Sequence, residues 1–222
     1  MNATTRYNDS ARHSPYGQLQ LMSIIDRDLP FIRQQLYDQN AWRSDDIKTG
    51  QMPALDEALK SDNWDAVLIG SLITGYNYVK ASILRTRELL GDIPIIAGGG
   101  FFSCLPSEMM EWLPITYGCI GEAYQTLPEL LNAINSKEEP SHVNGIVYRK
   151  NGQLLFTQPR DLIPDLDWLP YPAYQYAPLD IYFRNTSILM SEEAMFAKKR
   201  MDVLYSEGCG FQCSFLLGPR NH

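Results

Sequence analysis

The chain of 222 residues is poor in histidine and cysteine and has no long apolar run. No stretch reaches the ~18 consecutive apolar residues of a membrane-spanning helix, so none is expected. The start, from Met1 to Tyr16, is polar and lacks the apolar core of a signal peptide. Positive charge is not in excess either: 19 Lys plus Arg stand against 26 Asp plus Glu, for a net charge of -7. That balance offers nucleic acid or an anionic membrane no electrostatic footing, so neither is expected as a partner. A cytoplasmic, reducing setting follows as the default. In such a setting the four cysteines, Cys104, Cys119, Cys209 and Cys213, point to metal or redox chemistry before disulfides. Cys104 and Cys119 have no close sequence partner and read as small buried hydrophobes.

What is present is a strand–helix alternation that sharpens from Trp64. Ala66 to Gly70 is a short continuous apolar run, as in a strand buried on both faces. Tyr78 to Leu90 reads as a helix with Val79, Ile83 and Leu90 on one face. Ile93 to Ala97 and Ile115 to Ile120 are further strands, with a short helix, Pro106 to Leu113, between them. Thr126 to Glu129 reads as a capping box, with Thr126 as N-cap and Glu129 reaching back. Leu127, Leu130, Leu131 and Ile134 then form one apolar stripe. Ahead of these elements, Leu19 to Ile25 is expected as a first strand and Leu29 to Tyr37 has helical character. The stretch from Asp26 to Met52 resists assignment.

The alternation predicts an α/β fold, a Rossmann-like (flavodoxin-like) doubly wound parallel sheet. After it, Asn151-Gly152 between two apolar runs predicts a β-hairpin. Pro159, Pro164, Pro170, Pro172 and Pro178 mark an extended connector that packs along a surface. The expected organisation is a disordered start (1–17), an α/β domain (18–137), hairpin and connector (138–200), and a last segment (201–222). In that segment Met201 to Tyr205 reads as a strand.

In open α/β sheets ligands bind beyond the carboxyl ends of the strands, at a topological switch point. The loops there, Gly70 to Gly75, Gly98 to Gly100 and Gly121 to Ala123, are built of small residues, so a bulky flat ligand could approach the backbone. Taken singly, each glycine reads equally as the maker of a tight turn.

In their order and spacing these stretches resemble the cobalamin-binding domain found ahead of radical S-adenosylmethionine (radical SAM) domains. The matching pieces are Gly70-Ser71-Leu72-Ile73-Thr74, Ile95-Ile96-Ala97-Gly98-Gly99, Ile120-Gly121-Glu122 with Leu127 to Leu131, Asn144 to Tyr148, and Leu166 to Pro172. The resemblance covers about residues 64 to 216. It implies cobalamin as cofactor, contacted by Ser71, Leu72, Thr74, Gly75, Gly98, Gly99, Gly100, Gly121 and Glu122. At the C-terminal end, Gly208-Cys209-Gly210-Phe211-Gln212-Cys213-Ser214-Phe215 resembles the Cys-x3-Cys-x2-Cys cluster loop of the same superfamily. That likeness implies Cys209 and Cys213 as thiolate ligands of a [4Fe-4S] cluster, whose open iron binds S-adenosylmethionine for cleavage to a 5′-deoxyadenosyl radical. Read without the resemblance, Cys209 and Cys213 are two buried or incidental thiols.

Two departures accompany the likeness. The third cysteine position is Leu216, which has no lone pair for iron, and the family's barrel is represented by its opening only. A fragment, a frameshift or an altered polypeptide would each account for this. His13, His142 and His222 fall outside any Asp-x-His-x-x-Gly motif, so cobalamin would bind without a protein ligand to cobalt. The expected function is therefore the cobalamin-binding N-terminal part of a radical SAM enzyme, for methyl transfer or related radical chemistry on an unknown substrate, with no turnover of its own. The catalytic residues are not identified by sequence. The alternatives are a stand-alone module that carries or senses cobalamin, and a flavodoxin-like domain for another ligand or none.

Overall fold

The computed structural model describes residues 14–41, 45–184, 192–199, 203, 204 and 206. Its helices are α1 (Tyr16–Asp28), α2 (Pro53–Lys60), α3 (Tyr76–Leu90), α4 (Gly100–Ser103), α5 (Pro106–Trp112), α6 (Thr126–Asn135), α7 (Leu179–Arg184) and α8 (Glu192–Phe196). Its strands are β1 (Val67–Gly70), β2 (Ile95–Gly98), β3 (Tyr117–Cys119), β4 (Ile146–Lys150) and β5 (Gln153–Phe156).

The five strands form one sheet in the order β1-β2-β3-β4-β5. β1, β2 and β3 run parallel, with Leu68 beside Ile96 and Ala97 beside Gly118. β4 and β5 are antiparallel additions, with Gly118 beside Val147 and Tyr148 beside Leu155. The architecture is α/β, but the sheet is mixed where a parallel one was expected. The hairpin, expected beyond the sheet, is its far edge. Asn151 (φ 52°) and Gly152 (φ 80°) make its turn, both left-handed as a two-residue hairpin requires.

Period-2 alternation divides the core. Ile95 and Ala97 face one side, against Val79 and Ile83 of α3, Phe101 and Phe102 of α4, and Met109 and Met110 of α5. Ile96, Cys119, Ile146 and Tyr148 face the other, against Ile25 of α1 and Leu127, Leu130 and Leu131 of α6. Each fully buried Leu or Ile contributes about 1.5–3 kcal/mol at most. Gly118 is required by this packing: a Cβ there would stand 1.8 Å from Cζ of the buried Phe102 ring.

Leu19 to Ile25, expected as a strand, is the middle of α1. Pro15 precedes the helix, and Leu19, Gln20, Met22, Ser23, Ile24 and Ile25 are all buried, which a helix covered on two sides allows. Ile25 meets the sheet, while Leu19 and Met22 meet Leu36 and Ala173. Leu29 to Tyr37 is not helical. Leu29 leaves helical geometry at φ -130°, and Pro30 cannot continue the helical hydrogen-bond ladder. Tyr37 instead donates its phenol to Asp45, whose carboxylate accepts from the Ala54 and Leu55 amides at the start of α2. α2 itself escaped the sequence reading, although Pro53 at its first position and the Leu55/Leu59 pair announce it.

The capping box is not formed. No side chain caps α6. Thr126 Oγ1 donates to the Asn144 carbonyl at 3.1 Å and accepts from Arg160 Nε at 2.8 Å, while Glu129 pairs with Arg160. The connector packs along α1: Ala173 N donates to Leu19 O, Gln20 Nε2 to Pro170 O at 2.7 Å, and Tyr176 to Asp26 at 2.9 Å. In α7, Tyr182 donates to the buried Asp38. Val203 and Leu204 lie in no strand, and the rest of Met201 to Tyr205 lies outside the described residues. Among the described residues no helix is long and apolar enough to cross a membrane.

Candidate cofactor rim

The strand order shows no reversal among the described strands, so the switch-point crevice argued from sequence is not what gathers the loops. Lateral hydrogen bonds gather them. β1 ends at Gly70, and a 3-10 turn, Ile73–Gly75, leads into α3, closed by Gly75 N donating to Leu72 O at 2.9 Å. β2 ends at Gly98 and enters α4 through Gly99. Phe101 N donates to Ser71 O at 3.1 Å, which ties the first loop to the second. Gly121 N donates to Ser103 Oγ at 3.0 Å, which ties the third loop to α4. From the side, Gln18 Nε2 of α1 donates to Gly70 O at 3.4 Å. The three glycine loops thus form one continuous rim over β1, β2 and β3.

The residues expected there take different places on it. Leu72 and Ile73 stand exposed, at 61% and 44% of their surface, unusual for apolar side chains at the end of a buried sheet. Thr74, Gly99, Gly121 and Glu122 are exposed, and Gly98 and Gly100 are half-buried. Ser71 and Gly75 are buried. They shape the first loop from within. Gly99 has φ 79° and ψ -174°, and a Cβ there would stand 3.1 Å from Ser71 O, so the second loop can pass this close to the first only as glycine. Gly121 has φ 77°, and among the described residues nothing lies within 4 Å of a Cβ there.

Under the rim lies Cys119, its Cβ 3.7 Å from where a Gly98 Cβ would be. Burial pushes its thiol up to about 12, against a weaker opposing pull from Arg160. It is a packed thiol, not a nucleophile. Cys104 is half-buried and free. Cys209, Cys213, Phe215 and Leu216 lie outside the described residues. Among the described residues, no group of three His, Cys, Asp or Glu side chains could hold a metal ion. His142 sits in the 3-10 turn beyond the C-terminal end of α6, away from the loops that precede that helix.

A separate cleft of about 380 Å³ lies between the end of α1, the start of α6 and the connector, lined by Asp28, Tyr124, Gln125, Pro128, Glu129 and Trp168. Its carboxylates are engaged. The Arg27 guanidinium holds the Asp28 carboxyl below the usual carboxylate range, and Glu129 pairs with Arg160. Arg27 also lies 5.1 Å from the centre of the Trp168 ring.

The rim suits a corrin ring. Glycine backbone admits a flat macrocycle at close range, exposed Leu72 and Ile73 offer it apolar contact, and among the described residues nothing stands within 4 Å of a Cβ at Gly121. No imidazole among the described residues stands at the rim to reach the metal.

No family model matches the chain. Over 130 residues it is 29% identical to an uncharacterized methyltransferase of Pyrococcus horikoshii, a match covering 58% of this chain and 26% of that protein. Its fold is similar to that of the radical S-adenosylmethionine methyltransferase TsrM from Kitasatospora setae, solved with cobalamin and a [4Fe-4S] cluster bound. That likeness has a TM-score of 0.59 at 20% identity and covers 77% of this chain and 30% of TsrM. The cobalamin-dependent S-adenosylmethionine radical enzyme OxsB, solved with aqua-cobalamin bound, gives a TM-score of 0.62 at 18% identity, over 82% of this chain and 24% of OxsB. At these identities the structural likeness establishes the fold. The chain spans roughly a quarter to a third of the length of each of these proteins.

Proposed function

We propose that this chain is the cobalamin-binding N-terminal part of a cobalamin-dependent radical SAM enzyme of the methyltransferase type. The observation that carries the reading is the rim: three glycine loops hydrogen-bonded edge to edge, with Leu72 and Ile73 exposed, in a fold shared with two proteins solved with cobalamin bound. Leu72, Thr74, Gly98, Gly99, Gly100, Gly121 and Glu122 would meet the corrin, while Ser71 and Gly75 hold the first loop in shape. Cobalamin would supply a carrier for the transferred methyl group. Cys209 and Cys213 would give two thiolates to an iron–sulfur cluster, and Leu216 would give nothing. Cleavage of S-adenosylmethionine is accordingly not expected from this polypeptide after cluster reconstitution. Methyl transfer and its small-molecule substrate belong to the whole enzyme, in a cytoplasmic setting.

The test is a titration with hydroxocobalamin followed by visible absorbance and gel filtration. Co-elution of the corrinoid with the protein supports the reading, and loss of all colour from the protein peak overturns it. A second reading, a carrier or sensor module without catalysis, is favoured by one observation: among the described residues, the hydrogen bonds that join the rim all fall within residues 18–121. Cobalamin retention with no iron–sulfur absorbance after reconstitution would select it.

A further inference from the structure

The third loop of the rim, from Ile120 to Gln125, is fixed at both of its ends to one short stretch of chain. At the near end Ile120 N donates to Gly145 O at 2.8 Å, and Gly145 N donates to Gln158 O at 2.8 Å. At the far end Arg160 takes the start of α6: Nε donates to Thr126 Oγ1 at 2.8 Å, Nη1 to Gln125 Oε1 at 3.0 Å, and Nη2 to Glu129. Gln158 and Arg160, where β5 passes into the connector, therefore close a ring of contacts around the loop. The ring is tight. A Cβ on Gly145 (φ 78°) would stand 3.3 Å from Thr126 Oγ1, 3.4 Å from Arg160 Cβ and 3.5 Å from Ile120 O, one atom from each of helix, connector and loop.

Helix stability does not account for Arg160. A cation at a helix N-terminus faces the positive end of the macrodipole. Thr126 and Glu129 have the spacing of a capping box, which would satisfy backbone amides of α6, yet both side chains bond the guanidinium instead. The Arg160 side chain is only 15% exposed, and its planar fork meets three acceptors in different directions, a geometry that a single ammonium cannot copy. We propose that Arg160 is a positioning residue: it holds the third rim loop in place against the start of the connector, and so sets where Gly121 and Glu122 would meet a ligand on the rim. The proposal rests on the cobalamin reading for the identity of that ligand and adds to it a residue outside the glycine loops. By linkage the effect runs both ways: if the ordered clamp favours the ligand, the ligand favours the ordered clamp to the same extent.

The experiment uses the full chain with dicyanocobinamide as the probe. Wild type, Arg160→Gln, Arg160→Lys and Thr126→Val are titrated by visible absorbance well below their melting temperatures, and amide exchange is followed by mass spectrometry with and without the probe. Arg160→Gln should weaken binding about 3- to 10-fold, the range of one net hydrogen bond, in a fully folded sample. Arg160→Lys, which keeps the charge beside Glu129, should bind no better than Arg160→Gln. Thr126→Val, which keeps the volume and loses the bridging hydroxyl, should lose affinity in the same direction and decides the matter if the Arg160 variants fail to fold. Lys150→Gln, which breaks an exposed ion pair on β4, is the control and should bind as wild type; a control as weak as Arg160→Gln would overturn the proposal. In wild type the probe should slow exchange in residues 120–125 and 158–163 together, and in Arg160→Gln only the loop should respond. A purely structural Arg160 would lower the melting temperature and leave both the affinity of the folded protein and this shared protection as in wild type, which would overturn the proposal. Full affinity in Arg160→Lys would overturn it too, because charge alone would then suffice. If wild type binds no corrinoid, the cobalamin reading falls by itself. The clamp is then decided in the free protein, where Arg160→Gln should speed exchange in residues 120–125 ahead of residues 67–98, and equal exchange in the two would refute it.

Discussion

Replacing Gly99 with alanine tests the construction of the rim directly. Gly99 holds φ 79° and ψ -174°, a region that side-chain-bearing residues enter at a cost of about 1–3 kcal/mol. The added Cβ would also stand 3.1 Å from Ser71 O and 3.4 Å from Ser71 N, both backbone atoms that no rotamer change can remove. Ser71 O is held in turn by Phe101 N, and Phe101 is fully buried. The first loop must therefore shift, and the combined cost should be roughly 2–4 kcal/mol. Gly121→Ala is the control. Its φ of 77° carries a similar backbone cost, about 1–2 kcal/mol, but its Cβ meets nothing within 4 Å among the described residues. In a chain of this size each kcal/mol is worth about 2–4 °C, so Gly99→Ala should melt roughly 5–15 °C below wild type, and Gly121→Ala clearly less. Urea titration followed by far-UV circular dichroism supplies the comparison at unchanged m-value. Equal midpoints for the two variants would refute the crowding of the first two loops. A Gly99→Ala variant within about 1 kcal/mol of wild type would refute the backbone argument as well.

Three further outcomes follow from the core and the connector. Gly118→Ala drives a Cβ to 1.8 Å and 2.1 Å from atoms of the buried Phe102 ring, so it should cost about 3 kcal/mol or more by urea unfolding, partly recovered by Phe102→Leu in the same chain. No recovery would place the clash elsewhere. Cys119, its thiol pushed up to about 12 by burial, should resist iodoacetamide in the native protein at pH 8 and react once unfolded. Because the folded value is raised, its contribution to stability is complete below the unfolded thiol value of about 8.5 and is lost as pH rises toward 12. Cys119→Ala should flatten that alkaline decline, and an unaltered decline would argue against it. Tyr182→Phe takes a donor from the carboxylate of fully buried Asp38 and should cost about 1–3 kcal/mol, with amide exchange rising first in residues 179–184. Uniform exchange across the chain would show that the connector is not a separate unit.

The parts of the fold that sequence reveals are those fixed by local pattern. Val67 to Gly70 and Ile95 to Gly98 are continuous apolar runs because both faces of the strands are covered, and Asn151-Gly152 meets the backbone demand of a tight hairpin. The misreadings come from distant partners. Gln20 and Ser23 are polar but buried in α1, which hides its helical period, and Gln20 is satisfied by a carbonyl 150 residues away. Thr126 and Glu129 carry a capping pattern, but Arg160, more than 30 residues downstream, takes both side chains. The glycines of the rim were visible in the same local way. Gln18 was not, because α1 reaches the rim only through tertiary packing, and Ser103 was not, because the amide it accepts from, that of Gly121, lies 18 residues on. Gly118 carried a signal, a glycine inside a strand, which marks a close approach by another group.

The place of α1 explains why these omissions share one cause. At its start, Gln18 satisfies the last carbonyl of β1, an edge strand whose outer groups otherwise face away from the sheet. The next two residues are held by the connector, Leu19 through Ala173 and Gln20 through Pro170, and the far end by Tyr176 on Asp26. Ile25 meanwhile packs into the cluster that holds Ile96 and Cys119, directly under the glycines of the second and third loops. One helix therefore touches the edge of the rim, the floor beneath it and the connector that leads toward Cys209. The bonds that grip the connector begin one residue after the side chain that meets the end of β1.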